Sequence, residues 1–469
     1  MAAPGRAADL LAWVAILGLA LVVVACLLTR RGGLLEVLYP ALGLGVGALL
    51  LAVRPHLFFG FVLWLWFLSP FIRRVAEYQS EWQLTSPILA TPLLVTALCG
   101  LTVVRKVREL PGGALFPFTI AIAGCLVGFL VGVPRNGVKA ASYGLGTWVA
   151  PILFGIYLQL HGRHFPAFRS ALLAACAWGL IVIGAYGVWQ YLNPPAWDRW
   201  WMIESNMGSI GQPLPRRVRV FSMLNAPATL AITMLACILL LVSSQHRLRW
   251  VAVVSGSLAM LLSRVRSVWL IGTVAVLILI KRLPGRQRVY FLLALVALLP
   301  LVQIALTYGG MDREIQSRAE TLTDLSEDNS YRARTAFAIR AAEEVLNDPL
   351  GRGLGSTGGA AWLTTSRGAV VFDNGLLDVI YSLGWLGGAL FFWALAWTCS
   401  RSRHASQVHR DGFSAAALSV VLAVAALLAA NNSLNGIGGI FFWGLAGLLQ
   451  GRARFAVSET EDLPDVVRS

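Results

Sequence analysis

Three groups of arginines interrupt an otherwise apolar chain and are the first candidates for chemistry. They are Arg216, Arg217 and Arg219; Arg264 and Arg266 in Ser263-Arg264-Val265-Arg266-Ser267; and Arg332, Arg334 and Arg340. A guanidinium presents a planar fork of donors that fits phosphate oxygens. It also stabilises charge that develops on a departing phosphate. The three groups therefore predict a pocket for a strongly anionic headgroup, such as a pyrophosphate.

Two of these groups also have a simpler interpretation. Arg264 and Arg266 stand between short apolar runs, and their side chains could instead reach out to lipid phosphates. Arg340 precedes Glu343 and Glu344 by three and four residues, a spacing typical of an ion pair within a helix. Both alternatives leave the arginines at the membrane surface without a ligand.

Asp373 is the candidate general base. It stands in the segment Val371-Phe372-Asp373-Asn374-Gly375, where its carboxylate could accept a proton from a hydroxyl group. The alternative is that Asp373 or Asn374 caps the apolar helix that follows. Arg334 belongs to a helix predicted over 330–347, on a face with small alanines that a ligand can approach.

The sequence carries no familiar nucleophile or metal motif. It has no Ser/His/Asp set, no HExxH and no Walker loop, and its six cysteines stand singly in apolar runs. All six histidines fall in loops that the topology below places inside the cell. We therefore expect no metal, no cofactor and no nucleic-acid partner.

The composition excludes an ordinary soluble enzyme. Hydrophobic residues make up 57% of the 469 residues and charged residues only 13%, against roughly 25% charged residues in soluble domains. Fourteen apolar runs predict an all-α, polytopic membrane protein of about 12–14 transmembrane helices. The runs are 10–28, 34–53, 56–72, 87–104, 114–133, 141–160, 168–192, 223–243, 250–262, 267–280, 289–308, 379–399, 413–431 and 436–450.

Basic residues set the predicted topology. Short loops rich in arginine alternate with spans in a way that places both termini inside. The loops 73–86, 193–222 and 309–378 then lie outside, and the last of them is the only long hydrophilic insertion.

The predicted organisation has four parts. Residues 1–308 form transmembrane helices, and 309–378 form one large extracytoplasmic loop with amphipathic helices around 312–323 and 330–347. Residues 379–450 form the C-terminal transmembrane helices, and 451–469 form a cytoplasmic tail. Asp348-Pro349 is expected to end the second loop helix, and a glycine-rich turn with positive φ follows it.

Four segments, in order, resemble the O-antigen ligase and O-antigen polymerase superfamily of bacterial envelope glycosyltransferases. The resemblance covers about residues 215–400. The segments are Arg219-Val220-Phe221-Ser222-Met223-Leu224-Asn225-Ala226-Pro227; Leu262-Ser263-Arg264-Val265-Arg266-Ser267-Val268-Trp269; Arg334 to Asn347-Asp348-Pro349-Leu350-Gly351-Arg352-Gly353-Leu354-Gly355; and Asp373-Asn374-Gly375-Leu376-Leu377 to Gly384-Trp385-Leu386-Gly387.

The resemblance implies a GT-C-like membrane enzyme that transfers glycan from an undecaprenyl-pyrophosphate carrier. The transfer would invert the anomeric centre without a metal, at the periplasmic face of the bacterial inner membrane. By motif match, Arg219, Arg264 and Arg334 would bind the pyrophosphate, assisted by the neighbouring Arg266 and Arg332. The implied partners are the lipid-linked glycan, the bilayer and a chain-length regulator.

Asp373 stands where ligases of this superfamily carry histidine, which favours a polymerase. A polymerase moves a growing chain to a new lipid-linked repeat unit. The alternatives are a ligase that attaches polysaccharide to lipid A core, and a flippase or transporter of lipid-linked oligosaccharides. A transporter would usually place ionisable residues within its spans and show repeat symmetry.

Overall fold

The structure, a computed structural model, describes most of the chain. The described residues are 6–109, 112–283, 285, 288–289, 339, 343–364, 372, 374–409 and 411–461. Every regular element in them is helical, apart from one isolated bridge between Gly211 and Val218. The predicted all-α class is confirmed for this part of the chain.

The helices follow the apolar runs of the sequence. We number them α1 (Arg6–Leu28), α2 (Leu35–Val53), α3 (Pro55–Gln79), α4 (Pro87–Ala97), α5 (Cys99–Lys106), α6 (Gly112–Asn136), α7 (Val138–Leu160), α8 (Phe165–Leu192), α9 (Ala196–Ser205), α10 (Pro227–Val242), α11 (Arg249–Leu262), α12 (Arg266–Arg282), α13 (Gly358–Ala361), α14 (Gly375–Val408), α15 (Gly412–Leu427) and α16 (Ile437–Glu461).

Eight helical segments of the described chain are long and apolar enough to cross a membrane. The protein is therefore a multi-pass membrane protein. Thirteen of the fourteen predicted spans coincide with helices, and α4 and α5 together make one of them. The predicted span 289–308 lies outside the described residues, apart from Val289. The predicted helix 312–323 also lies outside them.

The C-terminal boundaries differ from the prediction. Helix α14 begins at Gly375 rather than at 379, because Asn374 caps it. Helix α16 continues to Glu461, so residues 451–461 extend a helix instead of forming a tail. Hydropathy detects the apolar centre of a helix, whereas caps and polar last turns decide where it ends.

The bundle has two chemically different ends. One is the end where α1 begins, and it carries all six histidines and the short basic loops. We call the other the loop end, defined by the described residues 80–86, 193–226, 263–265, 343–364, 372, 374 and 428–436. Alternation of the helices brings these connections to the same end. The predicted grouping of histidines and basic loops on one side agrees with this arrangement.

Four neighbouring helices are shorter than a membrane span. Helices α10, α11, α12 and α15 have 14 to 17 residues and form a contiguous group. At 1.5 Å per residue they are about 21–26 Å long, against a hydrocarbon core of about 30 Å. The group is therefore about 4–9 Å shorter than that core, and polar turns stand at its loop end.

The glycine-rich turn predicted after Asp348-Pro349 anchors the large loop to the bundle. Gly351, Gly353 and Gly355 have φ of 69°, 78° and 93°, as expected for positions that side chains disfavour. The amide of Leu354 donates to the carbonyl of Gly128 on α6 at 2.8 Å. The turn is thus held between α6 and α14 and is a fixed support, not a loose connection.

Candidate functional site

Arg219 and Arg264 meet at the loop end. One guanidinium nitrogen of Arg219, Nη2, lies 3.5 Å from the carbonyl oxygen of Arg264. The amide of Val220 donates to the carbonyl of Leu262 at 3.2 Å, so the two segments run against each other. Both arginines are half-buried. The structure therefore brings together two arginines that are 45 residues apart in sequence.

The turn between α11 and α12 presents Arg264 in an unusual backbone conformation. Its φ is +57°, a left-handed region that costs a non-glycine residue of order 1 kcal/mol or more. The amide of Arg264 still donates to Leu261, and Ser263 Oγ donates to the carbonyl of Met260 at 2.6 Å. This backbone reverses the chain within four residues and holds Arg264 at the rim of the short helices.

The remaining candidates separate into exposed residues and residues that are not described. Arg216, Arg217 and Arg266 are exposed at the loop end. The predicted site residues Arg332, Arg334, Arg340 and Asp373 lie outside the described residues.

Asn374 takes the capping role that the sequence left open between it and Asp373. Its Oδ1 accepts hydrogen bonds from the amides of Leu376 at 2.9 Å and Leu377 at 3.4 Å. The cap hypothesis is thus confirmed for Asn374.

A buried ion pair, which the sequence did not indicate, supports the chain segment that contains and follows Arg219. Arg74 on α3 and Asp198 on α9 are both fully buried, and Arg74 Nε donates to Asp198 Oδ1 at 2.9 Å. The same guanidinium donates to the carbonyls of Ser222 and Leu224, at 2.6 Å for Leu224. Arg74 therefore pins the segment that immediately follows Arg219.

Gln190 completes this support. Its Oε1 accepts from the amides of Phe221 at 3.2 Å and Ser222 at 2.8 Å, and its Nε2 donates to Asp198 at 2.6 Å. Ser222 has a φ of +51°. Irregular backbone at membrane depth survives only where the protein satisfies its polar groups. Gln190 and Arg74 do so here, and they fix the path of the chain into α10.

Arg73 adds another cation near the same end. It is buried, and its Nε donates to Glu77 at 2.6 Å. Its guanidinium lies 5.2 Å from the ring centre of Trp82, a cation–π distance. Tyr143 on α7 lies against Gly359 of α13, so the segment after the glycine-rich turn packs on α7.

A second polar cluster surrounds Asp378, in the first turn of α14. Asp378 is 2% exposed. Its carboxylate accepts from Ser382 Oγ at 3.1 Å and from the carboxamide of Asn432. The hydroxyl of Thr357 lies 3.2 Å from that of Ser382. This cluster joins the large-loop segment, α14 and the turn before α16.

Glu344 pairs with Arg352 across the end of the loop helix. The predicted pairing of Arg340 with Glu343 and Glu344 stays a prediction, because Arg340 lies outside the described residues. The described helical residues end at Asn347, so the predicted stop at Asp348-Pro349 is confirmed.

Asp348 ties the large loop to α6 through Arg135. The hydrogen bond from the Arg135 guanidinium lowers the pKa of Asp348 below its usual value of 3.8. A lowered folded-state pKa means that the contact stabilises the fold above that value and is lost as the pH falls through it. Because the pair is partly exposed, we expect about 1 kcal/mol or less.

We therefore expect Asp348→Asn to lower the thermal unfolding temperature slightly at pH 5–8. The difference from the parent protein should shrink as the pH falls below 3.8 and disappear only below the lowered pKa of Asp348, where the folded parent carboxylate is itself protonated. Melting curves of both proteins in detergent between pH 3 and 8 measure this. A difference that persists unchanged at pH 3 would contradict the assignment.

The described residues contain no group of three or more His, Cys, Asp or Glu side chains placed to hold a metal. The loop end offers the guanidinium groups of Arg219 and Arg264 beside polar turns. Such an arrangement can bind an anionic headgroup by charge and geometry.

No protein-family model matches the chain, and no curated protein matches it in sequence. The functional argument therefore depends on this chain's own residues and on its motif resemblance.

Proposed function

We propose that the protein is a polysaccharide polymerase. It would transfer a glycan chain from an undecaprenyl-pyrophosphate carrier to a lipid-linked repeat unit, at the periplasmic face of the bacterial inner membrane. The observation that carries the proposal is the meeting of Arg219 and Arg264 at the loop end. Each arginine belongs to a different motif of the resemblance. Binding of one shared ligand by both would account for their proximity.

The turn between α11 and α12 supports a lipid-linked donor. A pyrophosphate on a membrane lipid lies at the level of the headgroups, just outside the hydrocarbon core. Helices α11 and α12 are each shorter than the thickness of that core. In this proposal, Arg264 at their turn would meet a lipid-borne pyrophosphate that enters from the side.

The proposed reaction is a single displacement at the anomeric carbon. The acceptor hydroxyl oxygen forms a bond to that carbon, and the bond to the pyrophosphate oxygen breaks with inversion. The carrier leaves as a pyrophosphate whose added charge the guanidinium groups stabilise. By its position in the sequence, Asp373 would receive the hydroxyl proton, and Arg334 would assist Arg219 and Arg264. The leaving group is already activated, so no nucleotide is needed.

Two other functions remain as alternatives. A ligase would use the same donor but transfer the chain to lipid A core, and the resemblance includes it. A flippase or transporter would bind the same lipid without cleaving it. All three would use a site for lipid-linked glycan at the loop end, so the product distinguishes them.

The gel pattern of a deletion strain tests the proposal. If the protein is the polymerase, the strain should make only single repeat units on its surface lipid. Long chains that stay unattached to lipid A would indicate the ligase. Loss of all surface glycan, with lipid-linked units trapped inside, would indicate the flippase. An unchanged pattern would contradict all three.

A further inference from the structure

The turn between α15 and α16 carries an unusual concentration of carboxamides. Asn431, Asn432 and Asn435 lie within five residues, between two apolar helices. The Oδ1 atom of each is buried and receives no hydrogen bond from the described residues. A buried acceptor without a donor costs about 1–3 kcal/mol. Three such acceptors in one turn leave hydrogen-bonding capacity that water or a ligand can fill.

This turn lies beside the middle of helix α3. Gly436 packs against the ring of Trp66, which is close to the middle of that 25-residue helix. Non-helical backbone between apolar helices is tolerated where protein groups, water or a ligand satisfy its polar atoms.

Asp378 and its neighbours form the other side of the same cluster. Asn432 donates to the carboxylate of Asp378, and Ser382 and Thr357 add hydroxyl groups. No described basic side chain pairs with Asp378. The cluster is therefore rich in acceptors and also contains hydroxyl and carboxamide donors.

We propose that the cluster of Asn431, Asn432, Asn435 and Asp378 binds hydroxyl groups of a sugar, as the site of the acceptor glycan. Sugar hydroxyls donate and accept, which matches carboxamides that do the same. A hard cation fits less well, because it takes six or more oxygens and both Asp378 oxygens already accept hydrogen bonds.

The position of the cluster relative to the arginines supports the acceptor role. Helices α10, α12 and α15 contact one another. The arginines and the carboxamides therefore lie at the same end of the same helix group. The arginines suit the charged pyrophosphate of the donor. The neutral carboxamides suit the uncharged hydroxyl groups of the glycan. This inference rests on the proposed function, because it takes glycan as the substrate.

Photo-crosslinking in the host's own membranes tests the site. A benzophenone amino acid replaces Ala429, an exposed residue beside the cluster, in the full-length chain. We expect an adduct that carries glycan, and none from the same group at Leu28, which is exposed at the loop end of α1. Asn435→Ala should reduce the adduct about three- to tenfold, the effect of one lost hydrogen bond.

Two variants control for misfolding. Asn435→Asp retains an acceptor oxygen and should retain most of the adduct, and Asn193→Ala removes an exposed carboxamide at the loop end and should leave it unchanged. The proposed site is wrong if no glycan adduct forms at residue 429, or if Asn435→Ala does not reduce the yield of the adduct. If the deletion strain shows no glycan transfer while the adduct persists and depends on Asn435, the polymerase proposal fails and the glycan site stands.

Discussion

Replacing Arg264 by glycine or alanine should abolish glycan lengthening while the protein still inserts into the membrane. Removal of one preorganised donor to a developing anion typically costs about 100-fold or more in rate. Glycine is the sharper variant, because it removes the guanidinium and is fully compatible with the φ of +57° at this position. The measurement is the chain-length distribution on carbohydrate gels of a deletion strain that carries each variant.

Matched variants make this result specific. Arg199→Ala removes an exposed arginine of the same loop end that belongs to none of the three candidate groups, and it should leave the chain length unchanged. Arg264→Lys keeps the positive charge but loses the planar, bidentate donors of the guanidinium, so we expect intermediate activity. Full-length polymer from Arg264→Gly would exclude a catalytic role for Arg264. The same gels on Asp373→Ala, where we also expect loss of lengthening, test the proposed base.

Replacing Arg74 by methionine should destabilise the protein more than any other single change considered. The variant leaves the carboxylate of Asp198 fully buried and without its cationic partner. Removing one member of a buried pair costs about 3–5 kcal/mol. The carbonyls of Ser222 and Leu224 also lose their donor. Thermal unfolding of the purified protein in detergent should show a clear fall in the melting temperature.

Two further variants distinguish the loss of the ion pair from a general loss of stability. Arg199→Met changes an exposed arginine on the same helix as Asp198 and should melt like the parent. The double variant Arg74→Met with Asp198→Asn should recover part of the loss, because no uncompensated charge is then buried. If Arg74→Met alone melts at the parental temperature, the pair does not support the arginine segment.

Local sequence patterns predicted much of the fold correctly. Hydropathy located thirteen helices, since each needs only an apolar run of sufficient length. The Asp348-Pro349 stop was also readable, because Pro349 prevents the helix from continuing. The asparagines at 431, 432 and 435 were visible in the sequence as polar residues between apolar runs. That signal could have identified the second cluster.

Long-range contacts were beyond the sequence. Arg74 and Asp198 are 124 residues apart, and neither stands in a recognisable motif. The predicted span 56–72 ended just before Arg73 and Arg74, which the structure places inside α3. An arginine at the end of an apolar run usually faces water, so only packing against α9 reveals that this one is buried.

The sequence by itself determined the helical class and the membrane-spanning character of the helices, because these depend on the length of the apolar runs. Only the tertiary structure decided which arginines meet and which carboxamides remain without donors. Those features arise from contacts between distant segments, whose free energy no single stretch of sequence contains.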